Sequence, residues 1–171
     1  MIKKFDLEGV RTYDVNLMPD ERGLFGEVLR QDWSDLVDDW ISQVSFSHSY
    51  PGIVRAWHRH TRGQVDYIIV LKGALKICAY EDESKKLAEV VINSHKMQVV
   101  RIPGHYWHGT KCVGGGTAMT LYCMTRLYDY KNPDEERRPW NDPAIIPVEI
   151  NGSKADPRAN KAWDWLAPPY K

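Results

Sequence analysis

Apolar and polar positions along most of this chain follow a two-residue period, broken at regular intervals by turn residues. Val44–His48 alternates, Ile53–His60 follows a Tyr50-Pro51-Gly52 turn, and Val65–Leu71 is a continuous run rich in β-branched residues that stops at Lys72-Gly73. Ala74–Tyr80, Leu87–Ile92, Met97–Ile102, His105–Val113 and Thr117–Leu127 continue the series. They are separated by the polar segment 81–86, by Asn93-Ser94, by Pro103-Gly104 and by three consecutive glycines, Gly114 to Gly116. Alternation predicts half-buried strands, and a short continuous apolar run predicts a strand buried on both faces.

The first forty residues are less regular. Residues 1–18 alternate loosely and predict one or two strands, Pro19 to Gly23 a turn, and Leu24–Leu29 a further strand with Phe25 and Glu27 on one face. Trp33, Leu36, Val37 and Trp40 fall at i, i+3, i+4 and i+7, which predicts a short helix over 32–40 with Asp32 as its N-cap. Beyond Tyr130 the apolar runs end and most of the prolines occur. Residues 131–171 are therefore expected to form an irregular tail, with a short helix near 159–166, held against the strands by Trp140, Trp163 and Trp165. Many short strands with turn signals between them predict an all-β sandwich or barrel. The expectation is a single domain over 1–171 with a core at about 9–130, since a chain of 171 residues can bury one sizeable core.

Composition narrows the function. Apolar residues make up 43%, and 23 Lys and Arg balance 23 Asp and Glu. A zero formal charge gives no general attraction to nucleic acid or anionic membrane, so any phosphate binding rests on local arginines. No apolar run approaches the ~20 residues of a spanning helix, and no apolar stretch follows the N-terminal lysines as in a signal peptide. Cys78, Cys112 and Cys123 are odd in number and lack a CxxC spacing, which predicts buried thiols in a reducing compartment. The expectation is a soluble cytoplasmic protein.

Histidine is the candidate chemistry. His58 and His60 are two residues apart on a predicted strand, so their imidazoles share a face, with Arg55 and Trp57 on the opposite one. His105 and His108 form a second cluster beside Pro103-Gly104. Gly52, His58-Arg59-His60 and Gln64 resemble the first cupin motif with Gln in place of Glu, and Pro103 followed by His108 resembles the second. That resemblance implies a jelly-roll barrel, and in the metal-binding members a ligand set of His58, His60, Gln64 and His108 suited to a divalent Fe, Mn, Ni or Zn ion.

A second resemblance covers about 20–143. Asp20-Glu-Arg-Gly-Leu-Phe-Gly-Glu27, Phe46-Ser-His-Ser49, Gly52-Ile-Val-Arg-Ala-Trp-His58, Ile102-Pro-Gly-His-Tyr-Trp-His-Gly109, Leu121-Tyr122, Tyr128-Asp-Tyr130, Asn132 to Arg137 and Trp140-Asn-Asp-Pro143 are collinear with stretches of the dTDP-4-dehydrorhamnose 3,5-epimerase family. The resemblance implies an isomerase of deoxysugar and polysaccharide biosynthesis, without cofactor, acting on a nucleotide-diphosphate sugar as a homodimer with strand exchange near the N-terminus. It implies His58 as base, Tyr122 as acid and Asp156 as the carboxylate orienting the base. Arg22 and Arg55 would meet the diphosphate. Phe25 and Glu27 would reach the nucleotide from the partner subunit, Tyr128 would line the nucleotide side, and His48 and His108 would line the pocket.

The chemistry suits these residue types. The C4 carbonyl of a 4-keto sugar acidifies the hydrogens on C3 and C5. A base near neutrality removes one, and an acid on the opposite face returns a proton with inverted configuration. Two departures from the family stand out. Asp66 occupies the place of a Lys beside the reacting carbonyl, and His60 is an additional histidine, so His60, Gln64 and Asp66 are expected to contribute to substrate binding. The overall expectation is inversion at C3, C5 or both, and these departures fit a variant that inverts a single centre, or a 3,4-ketoisomerase that uses the same enolate with different proton delivery. A metal-dependent cupin and a non-catalytic sugar-binding cupin remain as alternatives.

Overall fold

The structure, a computed structural model, describes residues 1–168. Fourteen strands are present: β1 (Ile2–Lys4), β2 (Arg11–Asp14), β3 (Met18–Asp20), β4 (Gly23–Phe25), β5 (Gln43–Ser49), β6 (Val54–His60), β7 (Val65–Lys72), β8 (Ala74–Tyr80), β9 (Lys86–Asn93), β10 (Gln98–Pro103), β11 (Trp107–Val113), β12 (Ala118–Met124), β13 (Glu135–Arg137) and β14 (Glu149–Ile150). Two six-stranded sheets run in the orders β1-β2-β10-β7-β12-β5 and β13-β6-β11-β8-β9-β14, and β3 and β4 pair as a separate hairpin. From β5 to β12 the chain changes sheet at every connection except β8 to β9. That is jelly-roll connectivity, with two facing sheets rather than one continuous hydrogen-bonded barrel.

The strand residues pack in three apolar clusters. Ile68 and Val70 of β7 meet Leu75, Ile77 and Ala79 of β8 between the sheets. Tyr67 and Ile69, on the other face of β7, pack with Val15, Leu36, Val37 and Val99. Cys78 and Tyr80, on the other face of β8, pack with Trp57, Trp107, Ile145, Trp163 and Trp165. Both central strands are thus covered on both faces, the first sheet by the N-terminal segment and the second by the tail. This double burial is why their sequences read as apolar runs rather than alternations.

Neither expected helix forms, and the described residues contain none. Over 32–40 the backbone makes one turn, with Leu36 and Val37 N–H donating to the Trp33 carbonyl at 2.8 and 2.7 Å, and goes no further. Asp32 is drawn to the Arg30 guanidinium instead of capping, at 2.8 and 2.6 Å. Asp38 is pulled onto the buried Arg101, whose Nη2 lies 2.8 and 2.7 Å from its two oxygens. Leu36 and Val37 are buried as their spacing predicts, but Trp40 is exposed. Near 159–166, Asn160 and Trp163 N–H donate to the Pro147 and Ile145 carbonyls rather than back along the chain. In both segments long-range partners win over local helical bonds. The expected strand over 24–29 reduces to the hairpin arm β4, with Phe25 exposed.

The Asp38–Arg101 pair fastens the N-terminal segment over the first sheet. Burial alone would raise the Asp38 carboxyl, but the Arg101 guanidinium outweighs it and holds the pKa low. The stabilisation is therefore complete above about pH 4 and is lost as pH falls through the lowered folded-state value. Asp38→Asn is expected to lower stability at neutral pH by about 2 kcal/mol and to flatten the acid limb. Denaturant titrations over a pH series check both.

Candidate active site

A cleft of about 670 Å³ opens between the sheets. Alternation along β7 places Asp66 on the same inward stripe as Ile68 and Val70, at the cleft end of that strand. His108 projects inward from β11, while its neighbour Trp107 points to the tail. From the facing sheet come Ser45 and Ser47 of β5 and Tyr122 of β12, with Ser47 Oγ and Tyr122 Oη 3.4 Å apart.

A bulge sets the position of His58. His108 pairs with His58 and Thr110 with Arg55, so Gly109 alone faces both Ala56 and Trp57. A side chain at Gly109 would place its Cβ 2.3 Å from the Ala56 Cβ, so only glycine admits the bulge. One consequence differs from simple alternation. Arg55 and Trp57 do not share a face: Trp57 is buried against Trp165, with ring centroids 4.9 Å apart, whereas exposed Arg55 reaches from β6 to Ser49 Oγ of the facing sheet at 3.2 Å.

Below the cleft floor lies a connected polar cluster. His60 Nδ1 donates to Asp134 Oδ1 at 3.0 Å, and its Nε2 accepts from Gln64 Nε2 at 3.0 Å. Gln64 Nε2 also donates to Asp66 Oδ1 at 2.7 Å. His108 Nδ1 donates to the Tyr106 carbonyl at 2.8 Å, and its Nε2 faces Asp66 Oδ2 at 3.2 Å. The His58 ring packs against that of His108, tilted by 58°, with centroids 4.1 Å apart. Gly104 permits this closeness, since a Cβ there would lie 2.5 Å from the Gln64 carbonyl oxygen and 2.9 Å from the His60 Cβ.

The electrostatics follow from this packing. Desolvation would raise the Asp66 carboxyl, but His108 and His60 outweigh it and hold it well below the usual carboxylate range, so Asp66 is ionised. Burial would lower His60, but Asp66 and Asp134 on either side raise it. His58 is pushed well below the ordinary imidazole value by burial, then by the neighbouring His108, and to a smaller extent by His60 and Arg137. His58 is therefore a neutral imidazole at the cleft wall.

The sequence-derived candidates divide into three groups. Arg55, His58, Asp66, His108 and Tyr122 line the cleft. His60 and Gln64 stand behind it as buried supports. Arg22, Phe25, Glu27, His48, Tyr128 and Asp156 do not line it. Arg22 pairs with Asp20 on the β3–β4 turn, and Glu27 pairs with Arg30. His48 is exposed on the outer side of β5, with its ring 5.6 Å from that of Tyr50. Tyr128 lies beyond β12 with its backbone N–H on Gln43. Asp156 is not brought to His58: Arg158 claims both its oxygens, at 3.0 and 2.8 Å. The buried carboxylate of the histidine cluster is Asp66 instead.

Hydropathy gave no sign of β13, whose residues are all charged. It pairs with β6, Glu135 opposite His60 and Arg137 opposite His58, and brings Asp134, Glu135 and Arg137 to the site. The signal available was the motif run over 132–143, which fixes these residues in sequence but not in space.

The donor set also fits a metal ion. One ligand atom from each of His58, His60, Asp66 and His108 lies within 4.8 Å of the others, and three imidazoles with a carboxylate suit a divalent first-row ion. Gln64 is displaced from the expected ligand set, because its amide nitrogen is bonded to Asp66 and His60.

Comparison with known proteins supports the reading of the fold. A family model described as the polysaccharide biosynthesis C-terminal domain matches residues 18–136. The probable low-salt glycan biosynthesis epimerase Agl13 of Haloferax volcanii is 40% identical over 142 residues, covering 80% of this chain and 90% of its own. The spore coat polysaccharide biosynthesis protein SpsL of Bacillus subtilis is 30% identical over 144 residues, covering 81% and 93%. The crystal structure of dTDP-6-deoxy-D-glucose-3,5-epimerase RmlC from Legionella pneumophila, in complex with dTDP-4-keto-L-rhamnose, superposes with a TM-score of 0.75 at 21% identity, covering 85% of this chain and 80% of that one.

The polar cluster makes a sharp distinction between the two candidate carboxylates. Asp66→Ala is expected to destabilise the protein by about 3–5 kcal/mol, because it strands buried partners. In imidazole NMR spectra, Asp66→Asn is expected to move the His60 and His108 resonances, and Asp156→Asn to leave that of His58 in place. With the match over residues 18–136 and the similarity to Agl13 and SpsL, the chain belongs to the polysaccharide biosynthesis C-terminal domain family, on the jelly-roll fold of the dTDP-4-dehydrorhamnose 3,5-epimerases.

Proposed function

We propose that this protein is a nucleotide-sugar epimerase inverting C3, C5 or both in a 4-keto (deoxy)sugar nucleotide. The observation that carries this reading is the opposition of His58 and Tyr122, which line one cleft from its two facing sheets. A sugar ring between them would present one face to an imidazole and the other to a phenol. The similarity to Agl13, whose name describes an epimerase, supports the same assignment.

The mechanism follows from the groups present. His58, kept neutral by burial, takes the proton from carbon and becomes imidazolium as the C–H bond breaks. The electron pair moves into the C3–C4 or C4–C5 bond and onto the C4 oxygen, giving an enolate. Tyr122 then gives its hydroxyl proton to the opposite face of the same carbon, and the C4 carbonyl re-forms. Ser47 holds the phenol on its strand. Return of a proton to the far carbon of an enediol formed from the same enolate would give 3,4-ketoisomerisation. Arg55, at the cleft wall and, among the described residues, bonded only through Nε to Ser49, offers its remaining guanidinium edge to the diphosphate.

Arg22, Phe25, Glu27 and Tyr128 complete the site in a homodimer under this reading. Strand β5 is a sheet edge carrying exposed Val44 and Phe46, and the β3–β4 hairpin exposes Met18, Leu24 and Phe25. A partner subunit covering these residues would carry its own Phe25 and Glu27 towards the nucleotide. We further assign 1–171 as a single domain in the cytoplasm. Three buried, unpaired cysteines suit a reducing compartment, and among the described residues no helix is long and apolar enough to cross a membrane.

A second reading is favoured by the convergence of His58, His60, Asp66 and His108. A divalent ion held there would polarise a carbonyl as a Lewis acid. Retained turnover after chelator dialysis is expected under the first reading. Loss on chelation with recovery on one added ion would establish the second.

Within the first reading, His58→Gln and Tyr122→Phe are each expected to lower kcat by about 10²–10⁴, the usual contribution of a positioned acid or base. Steady-state assays on 4-keto-6-deoxy nucleotide sugars check this. Wild-type turnover by Tyr122→Phe would remove Tyr122 from the acid role.

A further inference from the structure

The epimerase reading leaves one requirement unmet. An enolate forming beside His58 places negative charge on the C4 oxygen, and a positively charged or strongly donating group must face it. Asp66, on the cleft floor, is an acid held by Gln64 and His108 and brings no positive charge to that oxygen. Both nitrogens of His108 are engaged, by the Tyr106 carbonyl and by Asp66. Arg138 lines the cleft but is bound by Asp82 at 2.9 and 2.7 Å, with its guanidinium carbon 4.1 Å from the Trp107 ring centroid. Arg55 sits beyond the bulge, tied to Ser49.

Among the described residues that line the cleft, one further cation remains. Arg137 stands directly opposite His58 in the β13–β6 register, so the two side chains leave the same face of the sheet at cross-strand distance. It lines the cleft, and its charge reaches the His58 ring. Among the described residues its one ion pair is from Nη2 to Glu135 at 2.8 Å, where 76% of the arginine side chain is exposed. An exposed pair of this kind is worth little, so the guanidinium can turn inward at small cost and still present further N–H groups.

The strand that carries Arg137 is firmly held. Glu136 accepts from Arg59 Nε at 2.6 Å, and Arg138 exchanges backbone hydrogen bonds with Trp57 at 3.2 and 3.0 Å. Arg59 and Arg138 both lie over the Trp107 ring, whose Nε1–H donates to Asp82 at 2.8 Å. Of the three consecutive side chains 136–138, the outer two anchor the strand and the middle one is left at the cleft.

Resting on the epimerase reading, we infer that Arg137 is a catalytic residue whose guanidinium donates to the C4 oxygen of the substrate as the enolate forms. It supplies the positive charge that the acidic residue at position 66 cannot. A donor of this kind acts more strongly on the enolate than on the ketone, so its loss lowers kcat rather than affinity.

The test is steady-state turnover of a 4-keto-6-deoxy nucleotide sugar by the wild-type protein, Arg137→Gln, Arg137→Lys and Arg137→Ala. Arg137→Gln is expected to lower kcat by about 10²–10³ with KM changed by less than about threefold, at an unaltered melting temperature. Arg137→Lys is expected to recover part of kcat, and added guanidinium ion to recover part of it in Arg137→Ala. Unchanged kcat with a raised KM would make Arg137 a rim anchor for the ground state and overturn the assignment, as would unchanged kinetics. Both results leave the epimerase reading intact. Absence of wild-type turnover on every 4-keto sugar nucleotide tried would instead bring down that reading, and the Arg137 assignment with it.

Discussion

An ionised carboxylate buried at the end of an apolar strand governs this site. Asp66 is 4% exposed, and such a charge persists only with close partners. His108, Gln64 and His60 provide them; His108 is fixed in turn by the Tyr106 carbonyl and His60 by Asp134. The carboxylate thus sets the orientation of two imidazoles, and His108 supports a third by packing its ring against that of His58. With His60, Gln64, Asp66 and His108 joined by hydrogen bonds, the cluster is rigid as well as polar. It leaves His58 as the histidine of the cluster whose ring has no hydrogen bond among the described residues, so a ring nitrogen is open to the cleft.

The tail is part of the machinery. Residues 145–165 bury the outer face of the second sheet through Ile145, Trp163 and Trp165. At the edge of that sheet, β13 extends it past β6 and brings a second wall to the cleft. Trp107 ties these layers together, pointing away from the cleft towards the tail while its neighbour His108 points in. The adjacent positions on β11 therefore face the tail and the cleft separately, as alternation allows.

The parts of the fold legible in the sequence are those governed by local period. The runs at β7 and β8 announced strands because both faces are buried, and the turn glycines marked their ends. His58, His108 and Tyr122 were legible because motif spacing places them on inward positions of β6, β11 and β12. What escaped depends on partners distant in the chain. The helix expected over 32–40 yields to Arg101, 63 residues from Asp38. The shared face expected for Arg55 and Trp57 is undone by a bulge that only the packing of Ala56 on Gly109 reveals. The pairing of Asp156 with Arg158 removes it from the role its motif suggested. Residues 134–137 are acidic or basic throughout and carry no strand period, yet they supply Asp134 to His60 and Arg137 to the cleft.

The central claim is that this cleft forms an enolate from a 4-keto sugar nucleotide using its own side chains. Proton exchange tests it most directly. The protein, dialysed against chelator, is incubated with 4-keto-6-deoxy nucleotide sugars in deuterium oxide while the C3 and C5 protons are followed by NMR. Deuterium at one or both carbons is the predicted result, and the position labelled names the centre that is inverted. Absence of exchange at both carbons, with every sugar nucleotide tried, would contradict it.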